Sequence, residues 1–125
     1  MAGYSDTFMD HFTSPRNSGP MEAPDVVGHV GTPGRGPYFI IALRLGGSAV
    51  SEARFQTYGC GATIAAGSVL TEMVRQRPIA ECLALTADDV IAALDGVPAN
   101  KLHGPALAIQ ALRVALKDVV GSDPL

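Results

Sequence analysis

The spacing of apolar positions changes period several times along the chain. Tyr4, Phe8 and Phe12 recur at i, i+4 and i+8, the apolar stripe of a short helix. Pro15 ends it, because the residue before a proline is pushed out of the helical region. From Asn17 to Pro37 no period holds. Pro20, Pro24, Pro33 and Pro37 alternate with Gly19, Gly28, Gly31, Gly34 and Gly36, which predicts a long irregular segment with a short strand near Val26 to Val30. Period two then takes over. Phe39, Ile41, Leu43 and Leu45 share one face of a strand from Tyr38 to Leu45. Gly46-Gly47-Ser48 carries hairpin turn chemistry, and Val50 to Tyr58 returns with Ala53, Phe55 and Thr57 on one face and Arg54, Gln56 and Tyr58 on the other.

Gly59-Cys60-Gly61 breaks that alternation, and the period becomes helical. A helix is predicted over residues 62–76 with Ala66, Val69, Leu70 and Met73 as its core stripe. Thr86 is placed to cap the next helix, with Asp88 and Asp89 complementing its dipole and Asp95-Gly96 ending it. Pro105 suits the first turn of the last helix. There Ala108, Ile109, Leu112, Leu116 and Val119 oppose a polar stripe of Gln110, Arg113 and Lys117. One helix, a group of strands and then three helices is the segregated α+β pattern, with a small antiparallel three-stranded sheet packed against helices.

Composition narrows the function classes. A chain of 125 residues that is 47% hydrophobic and 17% charged fits one domain, residues 1–125, with a core of its own. Net charge is −3 and no basic run occurs, which disfavours nucleic-acid binding. No apolar run reaches the ~18 residues of a membrane span. The opening Met1-Ala2-Gly3-Tyr4-Ser5-Asp6 lacks the basic and apolar regions of a signal peptide. Cys60 and Cys82 are therefore expected as free thiols, and the expected compartment is the cytoplasm.

Cys60 is the most informative residue. A thiol between glycines, after a strand and before a helix, meets backbone N–H groups in the setting of reactive cysteines; a small hydrophobe at a tight turn would occupy the same position. Cys82, beside Leu83 and Leu85, reads as core or boundary. His103 precedes the last helix and fits either a structural histidine or a ligand. His11 and His29 lack metal-like partners at i+3 or i+4 and are expected to face solvent. Residues 31–36 resemble a phosphate loop only in glycine content and lack its Lys-Ser/Thr ending.

Together these features resemble the U-type iron–sulfur cluster assembly scaffolds, the family of IscU and the NifU N-terminal domain. The resemblance runs over Asp10-His11-Phe12, Ser14-Pro15-Arg16-Asn17-Ser18-Gly19, residues 53–61 around Cys60, Leu70-Thr71-Glu72-Met73, and Val97-Pro98-Ala99-Asn100-Lys101-Leu102-His103. It implies the SufE/NifU-type fold, no enzymatic activity, and an iron–sulfur cluster or iron or zinc as cofactor. The implied partners are a cysteine desulfurase and an Hsp70-type chaperone, the latter reading Val97, Pro98, Ala99, Asn100 and Lys101; a homo- or hetero-oligomer is also implied. The family holds its metal with three cysteines, an Asp and a His. In this chain only Cys60 and His103 match. Arg35 stands at the first cysteine position, Pro37 at the Asp position and Gly104 at the third cysteine position. A [2Fe–2S] cluster takes four protein ligands, so the expectation is a divergent scaffold-like or accessory protein that does not hold a cluster alone. The alternative is a cluster-free binding or regulatory module on a retained fold.

Overall fold

The computed structural model describes residues 3–121; the expected domain limits at 1 and 125 lie outside them. The order is α1 (Asp6–Thr13), β1 (Val26–Gly31), β2 (Tyr38–Gly46), β3 (Ala49–Tyr58), α2 (Gly61–Val74), α3 (Ile79–Ala84), α4 (Ala87–Ala93), a 3₁₀ turn at Ala99–Lys101, and α5 (His103–Gly121). The strands form one antiparallel sheet in the order β1-β2-β3. This is the α+β arrangement expected from the sequence.

One face of the sheet carries Phe39, Ile41, Leu43, Ala53 and Phe55, all buried. The other is mixed: Tyr38, Ile40 and Ala42 of β2 lie there beside polar residues of β3, with the cross-strand pair Arg44 and Glu52 at 2.8 Å. The alternation fails once. Register runs from Arg44↔Glu52 to Leu45↔Val50, leaving Ser51 as an extra residue. The bulge lets both Val50 and Ala53 face the core and leaves Leu45 only half-buried. Beyond β3, Phe55 bonds Asn17 and Gly19 through its backbone N–H and C=O at 2.9 and 2.8 Å, so the segment after α1 covers that edge of the sheet.

Helix α2 departs from the expected single stripe. Thr63, Ser68 and Thr71 are buried along with Ala62, Ala65, Ala66, Val69, Leu70 and Val74, because α2 lies between the sheet, α1 and α5. Met73 is only half-buried. Helix α5 covers β1 so closely that a Cβ on Gly28 would come within 2.0 Å of the Ala111 carbonyl oxygen.

Three further expectations are corrected. Among the described residues four α-helices follow the sheet rather than three, because the six-residue α3 spans too few turns to show a period. Tyr4 lies outside α1, which is capped by Ser5: the Ser5 hydroxyl accepts the Phe8 N–H at 2.9 Å and donates to the Leu94 carbonyl. Tyr4 still packs against Phe8, with ring centroids 4.7 Å apart and the planes tilted by 37°. His11 is buried rather than solvent-facing. Its Nδ1 lies 2.7 Å from Ser68 Oγ and its Nε2 3.6 Å from Glu72 Oε1. The α4 cap forms as expected, a reciprocal box between Thr86 and Asp89. No helix among the described residues is long and apolar enough to cross a membrane.

Candidate functional site

Strand β3 ends at Tyr58, and the chain turns through Gly59 into α2 with Cys60 as N-cap. The Cys60 carbonyl accepts from the Thr63 N–H at 3.0 Å and from the Thr63 hydroxyl at 2.6 Å. The Cys60 sulfur takes no part in capping and is only partly buried. It faces His103 instead, with Sγ 3.1 Å from Nε2. Residues 43 positions apart thus meet where two helices begin.

His103 is the first residue of α5 rather than a residue before it. Its ring is exposed while Gly104 and Pro105 behind it are buried. The start of α5 presses onto the start of α2: a Cβ on Gly104 would lie 2.7 Å from both C and O of Ala62. Gly104 does not use positive φ. The obstacle to a side chain there is the Ala62 backbone, not strain in Gly104 itself.

The connection between β1 and β2 lies at the same end, because Gly31 pairs with Tyr38 and Tyr38 with Tyr58. Arg35 and Pro37 are exposed in it, and the Arg35 N–H closes a turn on Thr32 O at 3.0 Å. His29 is exposed in β1, as expected. Cys82 is fully buried in α3, and burial pushes its thiol pKa up, against the opposing charge of Arg77. Val97, Pro98 and Lys101 are half-buried around the 3₁₀ turn, while Ala99 and Asn100 are exposed. Lys101 borders a cavity of about 150 Å³ lined by Tyr4, Phe8, Met9, Phe12, Gly61 and Ala62, so the segment adjoins the first turn of α2.

Two side chains at this end escaped the sequence reading. Tyr58 is 65% exposed and Leu102 is 44% exposed, each within two residues of the Cys60–His103 pair. Alternation in β3 already placed Tyr58 on the outer face; the signal was a large aromatic on a side otherwise polar.

Chemically, the pair can hold a proton between sulfur and nitrogen, or offer two donors to a metal. Among the described residues no group of three or more His, Cys, Asp or Glu is placed to hold a metal ion. A cluster needs about four ligands, mainly thiolates. The space beside Gly104 is taken by the Ala62 backbone. At this end the described residues bring together two such donors, Cys60 and His103.

A model of the NifU-like N-terminal domain matches residues 3–123. The chain belongs to this family. Among NifU-like relatives, the iron–sulfur cluster assembly scaffold protein IscU 1 of Archaeoglobus fulgidus is 44% identical over 115 residues, covering 92% of this chain and 75% of that one. The corresponding IscU of Aquifex aeolicus is 38% identical over 117 residues, covering 92% and 74%. The crystal structure of an N-terminal NifU-like protein from Brucella abortus superposes with a TM-score of 0.68 over 95% of both chains at 14% identity. The NifU-like fold is thereby shown, and the Cys60–His103 pair sits on it between the ends of β3, α2 and α5.

Proposed function

We propose that this NifU-like chain, a single domain over residues 1–125, serves iron–sulfur cluster assembly as a divergent scaffold-like or accessory protein that does not hold a cluster alone. It is not an enzyme on this reading. The named relatives support the pathway. The observation that carries the finer claim is the pairing of Cys60 Sγ with His103 Nε2 at 3.1 Å, two donors where a cluster takes about four. Arg35 and Pro37 stand where the family resemblance implies a Cys and an Asp, and a guanidinium repels an incoming cation. Cys60 and His103 are then the residual ligand positions, and Arg35, Pro37 and Gly104 the degenerate ones. The family's cysteine desulfurase and Hsp70-type chaperone are the partners this reading implies, the chaperone reading residues 97–101. The implied compartment is the cytoplasm.

The test is anaerobic reconstitution of the reduced chain with iron and sulfide, followed by size separation and assay of iron and acid-labile sulfide. The expected result is a colourless monomer. A monomer with stoichiometric iron, sulfide and a charge-transfer spectrum overturns the reading. Arg35→Cys with Pro37→Asp adds two donors in an exposed loop, away from the Ala62 contact, and is expected to raise iron retention over wild type.

A further inference from the structure

We propose that the open groove between the start of α4 and the outer face of α5 docks an amphipathic helix of a partner protein, one that carries carboxylates beside its apolar stripe. The inference is independent of the Cys60–His103 pair and of the reading built on it.

The first support is shape. The groove holds about 570 Å³, with Ala87 and Asp88 of α4 on one wall. The other wall is α5, where Ala106, Ile109, Gln110, Arg113, Val114 and Lys117 share one face at helical spacing. From Ala106 to Lys117 that face extends about 16 Å, three turns of a second helix. Ile109 is buried and forms the floor, while Ala106 and Val114 are exposed above it. Val114 stands 43% exposed in the middle of the polar stripe of Gln110, Arg113 and Lys117. The fold of the single chain leaves that apolar surface in water. A helix laid in the groove removes it, in the manner of other helix-in-groove interfaces.

The second support is charge. Arg113 and Lys117 lie one turn apart on the α5 wall, and among the described residues neither meets a carboxylate. Like charges at i, i+4 repel and weaken the helix that carries them. In a chain of net charge −3 they make a local positive wall. Arg113 is also held in place. Its Nη2 donates to the carbonyl of Leu85, the C-cap of α3, at 3.1 Å. That contact uses one donor of the guanidinium and leaves its charge unneutralised. Carboxylates at i, i+4 of a partner helix match the spacing of Arg113 and Lys117. Asp88 on the opposite wall forms no ion pair across the groove. The two walls therefore stay oppositely charged, and they sort the acidic and basic flanks of the helix between them.

The experiment titrates the full chain into a fluorescent, roughly 14-residue helical peptide and reads anisotropy. The probe has leucines at its fourth, eighth and eleventh positions and glutamates at its third and seventh. The expected result is saturable binding with Kd below about 100 μM. Amide chemical shifts should move at residues 86–88 and 106–117. Replacing both glutamates of the probe by lysine should weaken binding about tenfold or more. Lys117→Glu should reverse that preference, losing the glutamate peptide and gaining the lysine peptide. Arg113 is left intact so that its bond to Leu85 persists. Val114→Glu should weaken the glutamate peptide at least about tenfold. Circular dichroism checks folding, and the reversed preference of Lys117→Glu decides the matter if Val114→Glu is unfolded. No saturable binding of the glutamate peptide, equal binding of the two peptides, or shifts confined to another face each overturns the proposal. A free chain that sediments as a dimer, dispersed by Lys117→Glu, assigns the groove to a second copy and overturns it as well.

Discussion

The two cysteines occupy opposite kinds of environment. Cys82 sits in α3 with none of its surface exposed, its sulfur near the carbonyls of Val74 and Arg77 at 4.0 and 3.8 Å. Cys60 sits at a helix start, partly exposed, 3.1 Å from an exposed imidazole. The same side chain is packing material in one place and a donor in the other. What separates them is the element that presents them. A six-residue helix closes over Cys82 from within the core. Cys60 stands where a strand turns into a helix, with glycines on both sides and no Cβ beside it to cover the sulfur.

Alkylation should expose the contrast most sharply. With iodoacetamide at neutral pH, native Cys60 is expected to react at least ~100-fold faster than Cys82, because only opening of the core exposes the second thiol. Mass spectrometry of the two peptides over time measures both rates. In denaturant the two rates should converge. Equal rates in the native chain would remove the distinction.

Serine substitution sharpens the comparison thermodynamically. Cys82→Ser places a hydroxyl in the core where the sulfur has only long contacts, at an expected cost of about 1–3 kcal/mol. Cys60→Ser at the surface should stay within about 0.5 kcal/mol. Urea unfolding of the two variants gives both numbers. A Cys60→Ser loss as large as that of Cys82→Ser would make Cys60 a packing residue.

Much of this was legible from spacing, and the exceptions have physical causes. The hairpin, the Thr86 cap and the last helix follow from patterns within a few residues, so the sequence shows them directly. The Ser51 bulge does not, because it changes which residues face inward without changing the residues themselves. Cys60 and His103 could be singled out as candidates from their element boundaries. Their meeting depends on how α2 and α5 pack. The obstruction beside Gly104 was hidden for the same reason: a glycine advertises freedom or closeness, and only the fold shows that the Ala62 backbone fills the space.

His11 was read as a surface residue because its partners lie far away in sequence, and it carries the smallest predicted effect. Ser68 Oγ accepts the Arg16 N–H at 2.9 Å, so its own hydroxyl is free to donate to His11 Nδ1 at 2.7 Å. That arrangement leaves the other ring nitrogen protonated toward Glu72, with the ring neutral. Burial lowers the His11 pKa, Arg16 lowers it further, and Glu72 and Asp10 oppose that shift. The unfolded chain then takes up a proton on this residue at a higher pH than the folded chain does. Stability should fall as pH drops below about 6.5, where the unfolded histidine begins to titrate, and level off once folded His11 protonates as well. The loss by pH 5.5 has a ceiling of about 1.4 kcal/mol, reached only if the folded residue stays neutral. His11→Asn keeps an acceptor near Ser68 but does not titrate. Urea unfolding of both proteins at pH 7.5 and 5.5 isolates the effect, since the two differ only at residue 11. Wild type is expected to lose more stability on acidification than the variant. Equal losses would mean that the buried ring exchanges its proton as freely as an exposed one.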